Sequence, residues 1–471
     1  MQGKWEKPKP WTVRLAALVI FALIVTGCGG NSGKDAGPSG SVSPGASASG
    51  GEPTGSADPA PAEKVTLEFW AQKFEDSTDA WFKKWTQEFN KAHDNIEVKL
   101  TIVPGDAWAQ KMKAAQAAGK APDIRTISYG NIANAAKMGE ILPLNDLMDP
   151  AAFDDLYDNV KEFVAAGGKY YAYPKLVEPS TVLFYRKDMF KEAGLDPEKP
   201  PATWAEVLEY GKALTTKGVF GFSIAQNAGD LGWSSWGLQY NAAGHLAITD
   251  DWSRADIDND GYRALVNFYK QAYESGIMPK QQLAGYTDIK PFGEGKLAMQ
   301  VIGSWAIGQL RNDYKDILDQ VGIAPMASID GDPTKPTATL GGWTLAVDGK
   351  SKHAQEAADY ISYLLAGDPA IMIDFFKGSQ FSKFSARQSV DEAMKADPEA
   401  SQDEWRAIVA EKIIPYSKAE PIYPWDISFA LSTAIESAMR GAEVDKALAQ
   451  AEKDINDYIA KSNLAGTNPN S

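Results

Sequence analysis

The chain has 471 residues, a formal net charge of -15 at neutral pH, 44 % hydrophobic residues and a single cysteine. An acidic surface repels nucleic acid and anionic lipid, so neither is an expected partner, and a lone thiol rules out an intrachain disulfide framework. The length is ample for two hydrophobic cores.

At the amino end Lys4, Lys7, Lys9 and Arg14 form a positive head. The apolar run at 15–25 follows, too short for a mature membrane-spanning helix, which needs about 20 residues. It closes on Val25-Thr26-Gly27-Cys28. Basic head, apolar core and small residues before the cysteine resemble the lipobox of bacterial lipoproteins. That resemblance implies a signal peptide over 1–27 and lipidation at Cys28, with palmitate-type acyl chains holding the protein at the extracellular face of the cell membrane. The plainer alternative is an ordinary signal peptide with an incidental cysteine. Residues 1–27 carry four basic and one acidic residue, so their removal takes the charge from -15 to -18. Residues 28–64 comprise Cys28 and a stretch dominated by Gly, Ser, Pro and Ala that cannot bury enough apolar area to offset chain entropy. As a flexible tether it reaches about 30 to 35 Å.

From Val65 onward, apolar periods of 2 and 3.6 alternate. Strands are predicted at Val65 to Trp70, Ile96 to Ile102 and Asp123 to Ser128, with helices at Ala80 to Ala92 and Trp108 to Ala118. This βαβαβ run predicts a mostly parallel sheet covered by helices. Thr203 and Glu206 form a capping box opening a helix to Leu214, followed by a strand at Val219 to Ile224. A helix at Tyr262 to Glu274, strands at Leu297 to Ile302 and Trp343 to Val347, and helices at 354–365, 369–376, 401–412, 427–440 and 443–460 complete the pattern.

Motifs for enzymatic chemistry are scarce. His93, His245 and His353 are scattered, and no HExxH, GxSxG, Walker or GxGxxG pattern occurs. Paired carboxylates for glycoside hydrolysis leave no trace in sequence, so a secreted glycan-degrading hydrolase stays open as the competing class. Asp256, Asp258 and Asp260 with Gly261 match half a calcium loop, but Asn267 stands where the bidentate Glu belongs, and the favoured reading is a turn with an Asp cap at a helix start. Neither a cofactor nor a metal is expected. Twelve tryptophans follow Cys28. Trp81, Trp85, Trp108, Trp204 and Trp405 have amphipathic spacing and read as core, whereas Trp70, Trp233, Trp236, Trp305, Trp343 and Trp425 read as element ends beside glycine or proline. Sugar rings stack on indole, and their hydroxyls need carboxylate, amide or Arg partners.

Three segments, Tyr170 to Asp188, Pro291 to Trp305 and Gly341 to Val347, are similar to the extracellular solute-binding proteins of carbohydrate ABC importers, family 1, the maltodextrin-binding type. The resemblance extends from Val65 to Ile459. It implies an α/β, two-lobed periplasmic-binding-protein-like fold with three inter-lobe crossings, near Pro174 to Glu178, Gly342 to Ala346 and Lys377 to Lys383. The first lobe is then 65–175 and 345–379, and the second 176–344 and 380–471. The family further implies a monomer that closes like a flytrap over an oligosaccharide and delivers it to an ABC transporter permease without doing chemistry. Carried over, the contacts are Trp70, Tyr129, Asn131, Glu178, Trp233, Trp236, Ser304, Trp305, Trp343, Arg387 and Trp425, with Tyr423 as an alternative stacking residue to Trp425. Glu178 has a second reading as an inter-lobe hydrogen bond, and Arg387 as the partner of a surface acid. The same fold binding a polyol, a glycerophosphodiester or a uronate oligomer is a further alternative, which the indoles disfavour.

Overall fold

The structure, a computed structural model, describes residues 64–469; the expected signal peptide, Cys28 and the expected linker up to residue 63 lie outside the described residues. The first lobe opens with strand β1 (Val65–Gln72), helix α1 (Asp76–Ala92), β2 (Ile96–Val103), α2 (Gly105–Ala117), β3 (Ile124–Ser128) and α3 (Tyr129–Lys137). Alternation sets the face of β1: Leu67, Phe69 and Ala71 are fully buried while Thr66 and Glu68 face solvent. It pairs in parallel with β2 and with β3. Helix α1 begins four residues before the expected Ala80, with Asp76 and Asp79 in a first turn where negative charge is favoured.

Strand β4 (Tyr173–Pro179) leads into β5 (Val182–Arg186) of a second sheet. Helices α4 (Trp204–Leu214), α5 (Ala228–Ala243) and α6 (Asp260–Glu274), strand β6 (Met299–Ile302), helix α7 (Ala306–Asp313) and strand β7 (Val321–Pro325) follow. The expected capping box is present: Thr203 accepts from the Glu206 backbone and Glu206 from that of Thr203. The second sheet has order β6-β5-β7, antiparallel throughout. β8 (Thr339–Val347) returns to the first sheet, antiparallel to both β3 and β4. The remaining elements are α8 (Ala354–Ile361), α9 (Pro369–Gly378), α10 (Gln388–Ala396), α11 (Glu404–Lys412), β9 (Lys418–Ala419), α12 (Trp425–Met439) and α13 (Val444–Ser462).

Strand β5 serves two cores. Val182 and Phe184 join the cluster centred on the first lobe, and Leu183 and Tyr185 the one packed beneath α4, α5, α6, α12 and α13.

Three expectations change. The strand at Val219 to Ile224 reduces to isolated pairings of Phe220 with Leu297 and Ser223 with Gln300. The helix expected over 354–365 relaxes into a π turn at Ser362–Ala366. Helix α5 was not foreseen, because Gly229, Gly232 and Gly237 dilute its periodicity; Asn227 caps its start by accepting from Asp230 N–H. Around the third expected crossing, Gln380 O accepts from Arg311 of α7 at 2.7 Å, after which Phe384 pairs with Val177 and Arg387 with Asp155 at 2.6 Å.

Candidate functional site

In open α/β sheets ligands bind beyond the carboxyl ends of the strands. β3 ends at Ser128, and there a cavity of about 350 Å³ separates α3 of the first lobe from α5 and α12 of the second. Ser128, Asn131 and Asn134 line one wall, and Trp233, Tyr423 and Trp425 the other. A second cavity of about 270 Å³ adjoins it, sharing the segment Glu420 to Tyr423 and reaching Tyr129 and Tyr240. A larger cavity of about 440 Å³ lies at Asp123, Gly139 and Asp348, at the opposite, amino end of β3.

Three indoles form the second-lobe wall. Trp233 and Trp425 stack with centroids 5.1 Å apart, and Trp236 stands edge-on to Trp233 at 4.9 Å. Trp236 is buried and fixed, its Nε1 donating to Ser428 Oγ at 2.8 Å. Trp233 keeps 43 % of its surface exposed and Trp425 36 %. The fit depends on Gly232, where a Cβ would lie 2.4 Å from the Trp425 ring. Trp233 and Trp236 are thus mid-helix residues of α5, a correction to their reading as element ends.

At the hinge, Lys383 is buried and bridges Glu75 at 2.6 Å and Glu178 at 3.0 Å. Burial opposes its charge, but the two carboxylates outweigh that and raise its pKa. Glu178 is thus held in an ion pair at the hinge. Beside it Lys175 is enclosed by Phe74, Phe82 and Phe375, its Nζ 5.0 to 5.4 Å from their centroids. Burial, then the charge of Lys383, pushes Lys175 down to about 7. Glu420, which sequence reasoning missed, is half-buried between the two cavities, and burial, then the charge of Glu178, pushes it up to about 8. Its only sequence signal is an acid set just before Pro421 and Pro424.

Of the expected contacts, Asn131, Trp233, Trp236, Tyr423 and Trp425 line the first cavity and Tyr129 the second. The Tyr129 hydroxyl is spent on Leu176 O at 2.9 Å, leaving its ring face, and Asn131 Nδ2 donates to Ser128 Oγ at 2.7 Å. Trp70, Ser304, Trp305 and Trp343 line neither cavity. Trp70 lies inside β1 with Lys111 Nζ 4.2 Å from its ring, and Trp343 packs on Phe74 at 4.4 Å. Trp305 stands edge-on to Tyr286 at 5.7 Å, its Nε1 donating to Thr287 O at 3.3 Å. Ser304 is fully buried, so its hydroxyl is closed to solute. Arg387 is buried and lines neither cavity; it donates to the partly exposed Asp155, to Leu365 O and to Ser389 Oγ, in keeping with its second reading as the partner of an acid.

Asp258 and Asp260 both turn to Arg263, and Asn259, not an aspartate, caps α6 by accepting from Tyr262 N–H. Among the described residues no group of three or more His, Cys, Asp or Glu is placed to hold a metal ion.

A family model described as bacterial extracellular solute-binding protein matches residues 75–368. A mannitol-binding protein of Pseudomonas aeruginosa is 27 % identical over 289 residues, 59 % of this chain and 63 % of that protein, so the chain spans somewhat less than two thirds of that relative's length. A maltooligosaccharide ABC transporter solute-binding lipoprotein of Streptococcus pneumoniae is 26 % identical over 303 residues, 61 % of this chain and 67 % of the relative. In fold, the chain matches the crystal structure of the cyclic alpha-maltosyl-1,6-maltose binding protein from Arthrobacter globiformis with a TM-score of 0.71 at 23 % identity, covering 84 % of this chain and 100 % of that one. Two lobes, a crossing segment in each sheet and a match over more than half its length place this chain in the bacterial extracellular solute-binding protein family.

Proposed function

We propose that this protein captures a carbohydrate between its lobes, an oligosaccharide in preference to a small polyol, and hands it unchanged to the permease of an ABC importer. The observation that carries this reading is the indole wall: Trp233 and Trp425 expose ring faces to a cavity whose opposite side is polar, with Asn131 and Asn134. Such a wall suits the C–H face of a sugar while amides meet its hydroxyls. Relatives named for maltooligosaccharide and mannitol support the same class. The lining favours a neutral solute: among the described residues Lys137 is the one Lys or Arg that lines either cavity, while Lys383 is taken by Glu75 and Glu178 and Arg387 is held by Asp155. In this reading Cys28 tethers the protein to the membrane and the protein acts as a monomer.

The test is a thermal-shift and calorimetric screen of maltooligosaccharides of graded length, mannitol and sn-glycerol 3-phosphate, with chromatography of the recovered sugar. A rise in Tm that grows with chain length, and sugar recovered intact, is expected. New reducing ends would make the protein a hydrolase, and a response to the phosphate alone would remove the carbohydrate reading.

A further inference from the structure

Glu420 lies on the stretch joining β9 to α12, at the meeting of the two cavities. Its carboxyl rests over β8, where a Cβ on Gly341 would come within 2.0 Å of Oε1. Among the described residues it has no hydrogen-bond or ion-pair partner. The donors around it are engaged elsewhere. Tyr129 Oη donates to Leu176 O, Tyr286 Oη donates to Ser180 O, and Lys383 is divided between Glu75 and Glu178. What acts on Glu420 is instead the like charge of Glu178. A half-buried carboxyl with a carboxylate neighbour and no cation of its own is poorly suited to holding a charge.

We propose that Glu420 is a ligand-contacting residue of the cleft, and that it meets the sugar as a neutral acid, donating from its own O–H to a sugar oxygen while its carbonyl accepts from a sugar hydroxyl. This rests on the carbohydrate reading and deepens it. A neutral acid offers both halves of a hydrogen-bonding pair, matching a hydroxyl, which is itself donor and acceptor. Its displacement to about 8 by burial and by Glu178 supports the assignment. The other titratable groups lining these cavities are Tyr129 and Lys137 of α3, Glu162, Tyr240 of α5, His245, Asp250 and Tyr423. Of these, only histidine ordinarily titrates between pH 5 and 8. His245 faces Asp256, Nε2 to Oδ2, at 3.8 Å. Lys175 is not in direct contact with either cavity, and its titration near 7 is retained in a variant at 420.

The sign follows from which form binds. If the protonated acid is the binding form, affinity is level below about pH 8 and falls about tenfold per pH unit above it, with protons taken up from the buffer as sugar binds. Calorimetry of the full chain with maltotetraose and with mannitol, from pH 6 to pH 9.5 in buffers of different ionisation enthalpy, reads both quantities. Glu420→Gln is expected to bind about three- to tenfold more weakly at pH 6, with a flat profile and no proton uptake, and Glu420→Ala to lose more than tenfold at pH 6. Circular dichroism checks that both variants fold. A flat wild-type profile, a slope that persists in Glu420→Gln, or unchanged binding by Glu420→Ala overturns the assignment while leaving the carbohydrate reading intact. Failure of every sugar to bind at any pH overturns that reading and this inference with it.

Discussion

Arg387 donates to a partly buried carboxylate, a backbone carbonyl and a hydroxyl at once, and Asp155 in turn accepts from the Ser389 backbone and hydroxyl. Burial works against the Asp155 charge, yet the hydrogen bonds from Ser389 and Arg387 prevail and hold its carboxyl below the usual range. The stabilisation is therefore present above the ordinary carboxylate pKa and lost as pH falls through the lowered one. Arg387→Ala removes these hydrogen bonds from a buried guanidinium while Asp155, partly exposed, keeps its bonds from Ser389, so a cost of about 1.5 to 3 kcal/mol in urea unfolding is expected while sugar affinity stays within threefold. A large loss of affinity without loss of stability would return Arg387 to the cleft. At this scale the sequence was readable where chemistry is conspicuous. Trp233 and Trp425 were singled out as large aromatics needing a partner, and they line the cavity together. Glu420 and Lys383 were not, because their roles arise from neighbours 205 or more positions away in the chain, Glu178 and Glu75.

Helix α5 is the element that sequence periodicity concealed and the site most needs. It presents Trp233 to the cavity, buries Trp236, and leaves a gap at Gly232 in which the Trp425 ring lies. A methyl there would sit 2.4 Å from that ring, so Gly232→Ala must tilt the α12 indole off its stack with Trp233. An aromatic pair of this kind contributes about 0.5 to 1.5 kcal/mol beyond area burial, so the expected outcome is a three- to tenfold loss of sugar affinity with folding retained. Tryptophan fluorescence of the free protein should shift as well. Unaltered fluorescence and affinity would show that the stack is not what the ligand meets. By contrast α4 was legible to the residue, since the Thr203 and Glu206 cap is a local pattern that no tertiary contact needs to complete. The strand expected at Val219 to Ile224 failed for the opposite reason. Its apolar alternation is real, but the chain pairs only at isolated points, such as Phe220 with Leu297.

For the whole molecule, the βαβαβ opening and the two-lobed α/β plan were readable from period changes and from the resemblance of three segments. The contacts around the third expected crossing were not, because Gln380 meets Arg311, Phe384 meets Val177 and Arg387 meets Asp155, segments far apart in sequence. Lys383 joins Glu75, just before α1, to Glu178 on the crossing strand β4, which places an ion pair where rotation of the lobes would bend the chain. Ligand-driven closure moves lobes about such segments. Small-angle scattering with and without saturating maltooligosaccharide is expected to give a smaller radius of gyration in the loaded state. Identical curves at confirmed saturation would mean that the lobes do not move.

Residues 418–425 are attached at both ends. Lys418 and Ala419 pair with β8 on the first sheet, while Trp425 begins α12 against the second-lobe helices. The same short bridge supplies Glu420, Tyr423 and Trp425 to the ligand space. Retargeting by redesign of this bridge would therefore alter the resting angle along with the preference, and the two effects could not be tuned apart. Trp233 sits on a helix anchored in one lobe alone, which makes it the cleaner starting point for engineering a new sugar sensor.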